Sequence, residues 1–157
     1  MTTRSDIVAK ARSLAASKVP FHHGQASPHG CDCIGVVRLI ASELQIFDAS
    51  ERNPEIAKFL GYGREPNPAA MIEALDKFMV RLELGVCDEL PLGCVIWLRM
   101  DEETDPRHLA IVVDRPNAPA ERNIIHSMAS IGRVVEHRLT PQMRARVAGA
   151  WDYPGLS

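Results

Sequence analysis

The run from Gly30 to Leu44 constrains this chain more than any other. A polar loop bearing Pro and Gly (His22 to Gly30) leads into Asp32, and helical spacing begins at once. Counted from Cys33, the residues four, seven and eleven positions on are Val37, Ile40 and Leu44. They form one apolar helix face with the cysteine at its start. Asp32 is placed to cap that helix, because its carboxylate accepts from the free N–H groups of the first turn. A sulfur in that turn feels those N–H groups and the positive end of the helix dipole, which predicts a shift toward thiolate. A small structural cysteine in an amphipathic helix gives the same pattern, so its neighbours must decide.

Composition limits what such a sulfur can serve. With 157 residues, the chain is expected to form a single domain spanning 1–157, large enough to bury a core without disulfide staples. The net charge is −2 with both signs spread along the chain, which points away from nucleic acid and anionic membranes as partners. No apolar run nears the roughly 20 residues a membrane-spanning helix needs. Met1 to Asp6 is polar and leads straight into an amphipathic pattern, so a signal peptide is not expected, nor is membrane insertion. Synthesis in a bacterial cytoplasm follows as the expectation.

Helical patterns fill the first half. Thr3 and Asp6 have the spacing of a capping box for a helix over 5–17, with Ile7, Val8, Ala11, Leu14 and Ala15 inward. A connection over 48–64 precedes a helix predicted over 69–84 and closed by Gly85. After Pro91 the pattern changes to strands: 94–100, 107–114, 123–128 and 133–139, then a short basic helix from Thr140-Pro141 and an edge strand around Trp151. Asp101-Glu102-Glu103 reads as a solvated hairpin tip. Helices first and a meandering sheet second is the α+β pattern.

The polar residues that interrupt those strands carry the chemistry. His108 alternates with Ala110 and Val112 on one face of its strand, and His126 shares a face with Ile124 and Met128. A Cys33 helix packed on that face would give the order sulfur, imidazole, imidazole. A thiol nucleophile needs that order: a base within hydrogen-bond reach, and a further polar group to fix the tautomer of the base. Either histidine can equally be structural. Other readings compete. Cys31, Cys33, Cys87 and Cys94 with the six histidines can suggest zinc, but the Cys-x-Cys pair and the long gap to Cys87 lack finger spacing. Cys31 and Cys33 can form a strained redox disulfide. His22, His23 and His29 can bind metal or simply face solvent, and His137, alternating with Val135, reads as a surface residue.

These motifs resemble those of the NlpC-type cell-wall cysteine peptidases. Asp32-Cys33-Ile34-Gly35-Val36-Val37 is similar to the nucleophile motif Asp-Cys-Ser-Gly-Leu-Val, and His108-Leu109-Ala110-Ile111-Val112 to the base-bearing His-Val-Gly-Ile-Tyr strand. Ile125-His126-Ser127 resembles the Ile-His-Ala segment of the third residue, and 92–96 the Pro-Gly-Asp-Val-Val segment. The resemblance implies a papain-like α+β fold with N-terminal helices on a C-terminal antiparallel sheet. It implies Cys33 as nucleophile, His108 as base and His126 as orienting residue, with no cofactor and no metal. The implied reaction is hydrolysis of a peptidoglycan stem-peptide amide. Asp32, Phe21 and His22 are expected beside the oxyanion or substrate, with Phe21 near where the family often has a tyrosine. The Gly-Cys-Asp-Cys variant, the His-rich loop and the closing 150–154 segment look most like the branch found on the tails of phages and gene transfer agents. That branch implies a virion-tail location, tail-tip or hub proteins as partners, and action in the periplasm or cell wall during infection. The alternative is a structural tail-tip or adaptor protein that keeps the fold with little or no turnover.

Overall fold

Capping side chains start the helices where the sequence places them. The computed structural model describes all residues except 86, 102 and 103. Glu102 and Glu103 of the expected hairpin tip therefore lie outside the described residues. Helix α1 (Arg4–Ala16) opens on the Thr3–Asp6 capping box, with Ile7, Val8, Ala11 and Leu14 buried. A small hairpin, β1 (Ala26–Ser27) and β2 (Gly30–Cys31), feeds helix α2 (Cys33–Glu43). Asn53 and Asn67, each followed by Pro, start α3 (Pro54–Ala57) and α4 (Pro68–Phe78).

The expected helix over 69–84 stops short. Met79 takes extended dihedrals (φ −120°, ψ 171°), and β3 (Val80–Leu82) pairs antiparallel with β8 (Val147–Asp152). An available partner strand outweighs helical spacing here, since β formation depends on the neighbour more than on local preference. The same pairing corrects the expected edge strand around Trp151. The sheet order is β3-β8-β4-β5-β6-β7, so β8 is internal, and Trp151 and Tyr153 are buried.

The remaining strands are β4 (Val95–Leu98), β5 (His108–Arg115), β6 (Ala118–Met128) and β7 (Arg133–Arg138), with helix α5 (Pro141–Ala145) before β8. All neighbours in the six-stranded sheet are antiparallel, which makes the fold α+β. Alternation along the strands serves two cores. Leu109, Ile111, Val113 and Ile125 join Val36, Val37, Leu39 and Ile40 of α2 and the apolar stripe of α1. Ala110, Val112 and Ile124 face the other way, with Ile96, Leu98 and Ala150. Arg4 clamps the N-terminal helix to the sheet by donating to both carboxylate oxygens of Asp152, at 2.8 and 2.5 Å.

Candidate active site

Asp32 fixes the start of α2. Its Oδ1 accepts from the N–H of Gly35 at 2.7 Å, and its Oδ2 accepts from the N–H of Gly24 and the hydroxyl of Tyr62, each at 2.7 Å. Asp32 is buried, and each of these donors stabilises its charge. The preceding loop lies tight against the helix: a Cβ on Gly35 would stand 1.9 Å from the carbonyl oxygen of Gln25. Only glycine allows that approach. With Gly35 committed to Asp32 and the N–H of Val36 to the Asp32 carbonyl, the amides of Cys33 and Ile34 remain free to face the sulfur.

Cys33 is the first residue of α2 and half-buried. Burial pushes its thiol up to about 12, opposed by the N–H groups of Leu109 and Ile34 directed at the sulfur and aided by the charge of Asp32. This is contrary to the expected shift toward thiolate: desolvation outweighs the helix N-terminus. Leu109 can donate to the sulfur because β5 and β6 pair only from Ile111↔Ile125 onward, so its N–H is not taken by the ladder. All four cysteines are unpaired; Cys31 and Cys94 are buried and pushed up to about 12, mainly by burial, and Cys87 is exposed. The redox disulfide of Cys31 and Cys33 is absent from the structure.

His108 is the first residue of β5, and its Nε2 lies 2.5 Å from Nδ1 of His126. His126 is buried, and its Nε2 lies 2.6 Å from Nε2 of His137 on β7. Burial holds His108 and His126 neutral, lowering them to about 4 and about 2, with the neighbouring imidazoles adding to the effect. Sequence reading missed His137. The available signal was hairpin register: Ile124 pairs with His137 and His126 with Val135, so the two histidines are diagonal neighbours on one face.

The histidine row lies on the face of Ala110 and Val112, opposite the face that α2 covers, which corrects the expectation of a helix stacked directly over it. Cys33 and His108 nevertheless line one cleft of about 350 Å³, because each is the first residue of its element at the same end of the sheet. Asp32, Phe21, His23, Tyr62 and Arg107 also line it. His22 instead lays its ring over Gly30, where a Cβ would meet its Cδ2 at 2.1 Å. Tyr62 was not singled out from sequence; it arrives from the 59–67 connection. Burial and the charge of Asp32 keep it a phenol. Behind Ile34, Tyr62 and Leu109 lies a second, apolar cavity of about 460 Å³, walled by Phe47, Phe59, Met71 and Phe78. Among the described residues, no group of three or more His, Cys, Asp or Glu side chains is arranged to hold a metal ion.

No family profile matches the chain, and no curated protein sequence matches it significantly. Solved structures do. A Bacillus cereus NlpC/P60 family protein superposes with a TM-score of 0.62 at 19% identity, over 97% of this chain and 40% of that one. The NlpC/p60 domain of the peptidoglycan hydrolase SagA gives 0.60 at 16%, over 96% of this chain and 99% of the domain. NlpC2 of Trichomonas vaginalis gives 0.62 at 12%, over 98% and 47%. The chain thus spans less than half of two of these proteins and nearly all of an isolated NlpC/p60 domain. Its fold is that of the NlpC/P60 domain.

Proposed function

We propose that this chain is a cysteine peptidase that hydrolyses stem-peptide amides of bacterial peptidoglycan, with Cys33, His108 and His126 as its catalytic set. The observation that carries the reading is one cleft lined by both Cys33 and His108, with His126 bonded behind the base. The peptidoglycan hydrolase named among the structural neighbours supports the substrate class.

The resting pair is a neutral thiol and a neutral imidazole. With Nε2 of His108 committed to His126, the other ring nitrogen, Nδ1, takes the thiol proton as sulfur attacks the amide carbonyl. The oxyanion that forms is held by a first-turn N–H of α2. The C–N bond then breaks, and the imidazolium returns its proton to the leaving amine. Water, deprotonated by the same nitrogen, releases the acyl group from sulfur. Phe21 has no hydroxyl to assist the oxyanion, so the backbone amides do this work.

Carriage on a phage or gene-transfer-agent tail, with tail-tip proteins as partners, is the finer part of this reading. It rests on the resemblance of the 30–33 and 150–154 segments to that branch. Washed particles containing the chain at low stoichiometric copy number would support it, and its confinement to lysates would refute it. For the peptidase itself, purified peptidoglycan digested with wild type and with Cys33→Ala is compared by mass. New termini at one stem-peptide bond, made by wild type only, are expected. No cleavage by either protein would favour the structural adaptor.

A further inference from the structure

The outer end of the histidine row is a backbone carbonyl, and a carbonyl can only accept. Nδ1 of His137 lies 3.0 Å from the carbonyl oxygen of Arg138, so Nδ1 carries the hydrogen. In the neutral ring, Nε2 of His137 is then a bare lone pair. Nε2 of His126 stands 2.6 Å from it and must be the donor. Neutral His126 is thereby left with a lone pair on Nδ1. Nε2 of His108, 2.5 Å away, must donate to that lone pair. The consequence reaches the cleft: Nδ1 of neutral His108 has no hydrogen.

We propose that His137 is a positioning residue which, through His126, fixes His108 as the tautomer able to accept the proton of Cys33. Three imidazoles in a row have no built-in direction, because each can donate from either nitrogen. The Arg138 carbonyl supplies the direction. The row can hold it because His126 is only 1% exposed, and both of its nitrogens bond to the flanking rings. Ring centroids 4.8 and 4.7 Å apart at 70° and 60° turn each nitrogen toward the next ring's edge, as a chain of ring-to-ring hydrogen bonds requires. Register holds the spacing. His126 and His137 sit diagonally across the β6–β7 ladder, where rigid pairing keeps the nitrogens in reach.

The inference deepens the peptidase reading and rests on it for its catalytic meaning, but tautomers can be read without substrate. Nitrogen-15 NMR of the full chain distinguishes protonated from bare ring nitrogens at each histidine. Wild type should show hydrogen on Nε2 of His108 and His126 and on Nδ1 of His137. Hydrogen on Nδ1 of His108 would overturn the proposal. In His137→Gln, the amide oxygen can still accept from His126, so the His108 tautomer and the cleavage rate should be kept. In His137→Leu no acceptor remains; the His108 tautomer should become mixed, and kcat on peptidoglycan should fall about tenfold with KM unchanged. Equal losses in both variants, with the wild-type tautomer intact, would show a packing role and refute the proposal. If His137→Leu does not fold, the wild-type and Gln spectra still decide. A wild type that shows the stated tautomers yet cleaves no peptidoglycan would defeat the peptidase reading and leave this inference standing.

Discussion

On the helix-covered face of the sheet, Leu109, Ile111, Val113, Ile125 and Val134 are buried against α1 and α2. On the other face the same strands carry Ala110, Val112 and Ile124 at the centre, then His108, His126 and His137 in a row. The first face is stabilised mainly by apolar area, at about 25 cal/mol per Å² removed from water. The second also contains buried polar rings, which are tolerable only while each nitrogen has a partner. A two-residue alternation thus gives one strand, β5, a fold-holding side and a chemical side. Substitutions on the two sides should fail differently.

The largest effect is expected on the chemical side. Cys33→Ala and His108→Ala should each cut peptidoglycan cleavage by about a thousandfold or more, roughly 4 kcal/mol of barrier. The urea midpoint of Cys33→Ala should move little, because only a small half-buried sulfur is lost. His108→Ala also strips a nitrogen of buried His126 of its partner and should lose about 1–3 kcal/mol of stability. On the fold-holding side, Ile111→Ala should cost about 2–5 kcal/mol of unfolding free energy from the cavity it leaves, with the folded fraction turning over normally. An Ile111→Ala protein as stable as wild type but inactive would erase the proposed division.

That division was only half legible in the sequence. Helical spacing after Cys33 and the Thr3–Asp6 box located α1 and α2, because apolar periodicity and caps are local. Strand alternation in 107–114 showed two faces but not which one a helix would cover. That choice depends on how the sheet closes onto α2, through Ser127 Oγ donating to the Cys31 carbonyl at 2.7 Å and through the inner core. His137 read as surface because its partner lies across a hairpin whose register no single strand reveals. Tyr62 was hidden in a loop, and β3 inside a helical pattern, for a related reason: each takes its role from a residue distant in sequence, Asp32 or β8.

Acid should sharpen the contrast between the faces. His108 is lowered from 6.5 to about 4 chiefly by burial, with the neighbouring His137 ring adding to the effect, and His126 is lowered further still. The folded state therefore binds fewer protons than the unfolded state between those values. The stability contributed by these neutral rings is fully present above pH 6.5 and is lost as pH falls toward 4. For His108, allowing for its contact with solvent, the loss is on the order of 2 kcal/mol. Urea titrations at pH 7 and pH 4.5 should show this, and a His126→Leu variant should show a shallower slope. An equal slope in that variant would mean that other groups carry the acid sensitivity.

The smallest effect is expected at Tyr62, and it separates two roles that a phenol in this cleft can have. Its hydroxyl donates to Asp32 at 2.7 Å, and Asp32 in turn holds Gly35 and Gly24. In that role the hydroxyl is a brace for the start of α2. Tyr62→Phe then leaves Asp32 with its two backbone donors and removes one charge-assisted bond, costing about 1 kcal/mol of stability. The rate should fall only a few-fold, since the amides of Cys33 and Ile34 stay in place. A hydroxyl that itself held the oxyanion would behave in the opposite way: stability would be unchanged and kcat would fall about a hundredfold or more. Measuring the urea midpoint and kcat on the same Tyr62→Phe preparation distinguishes the two. The bond to Asp32 favours the brace, because a hydroxyl has one hydrogen to give and the resting structure has already committed it.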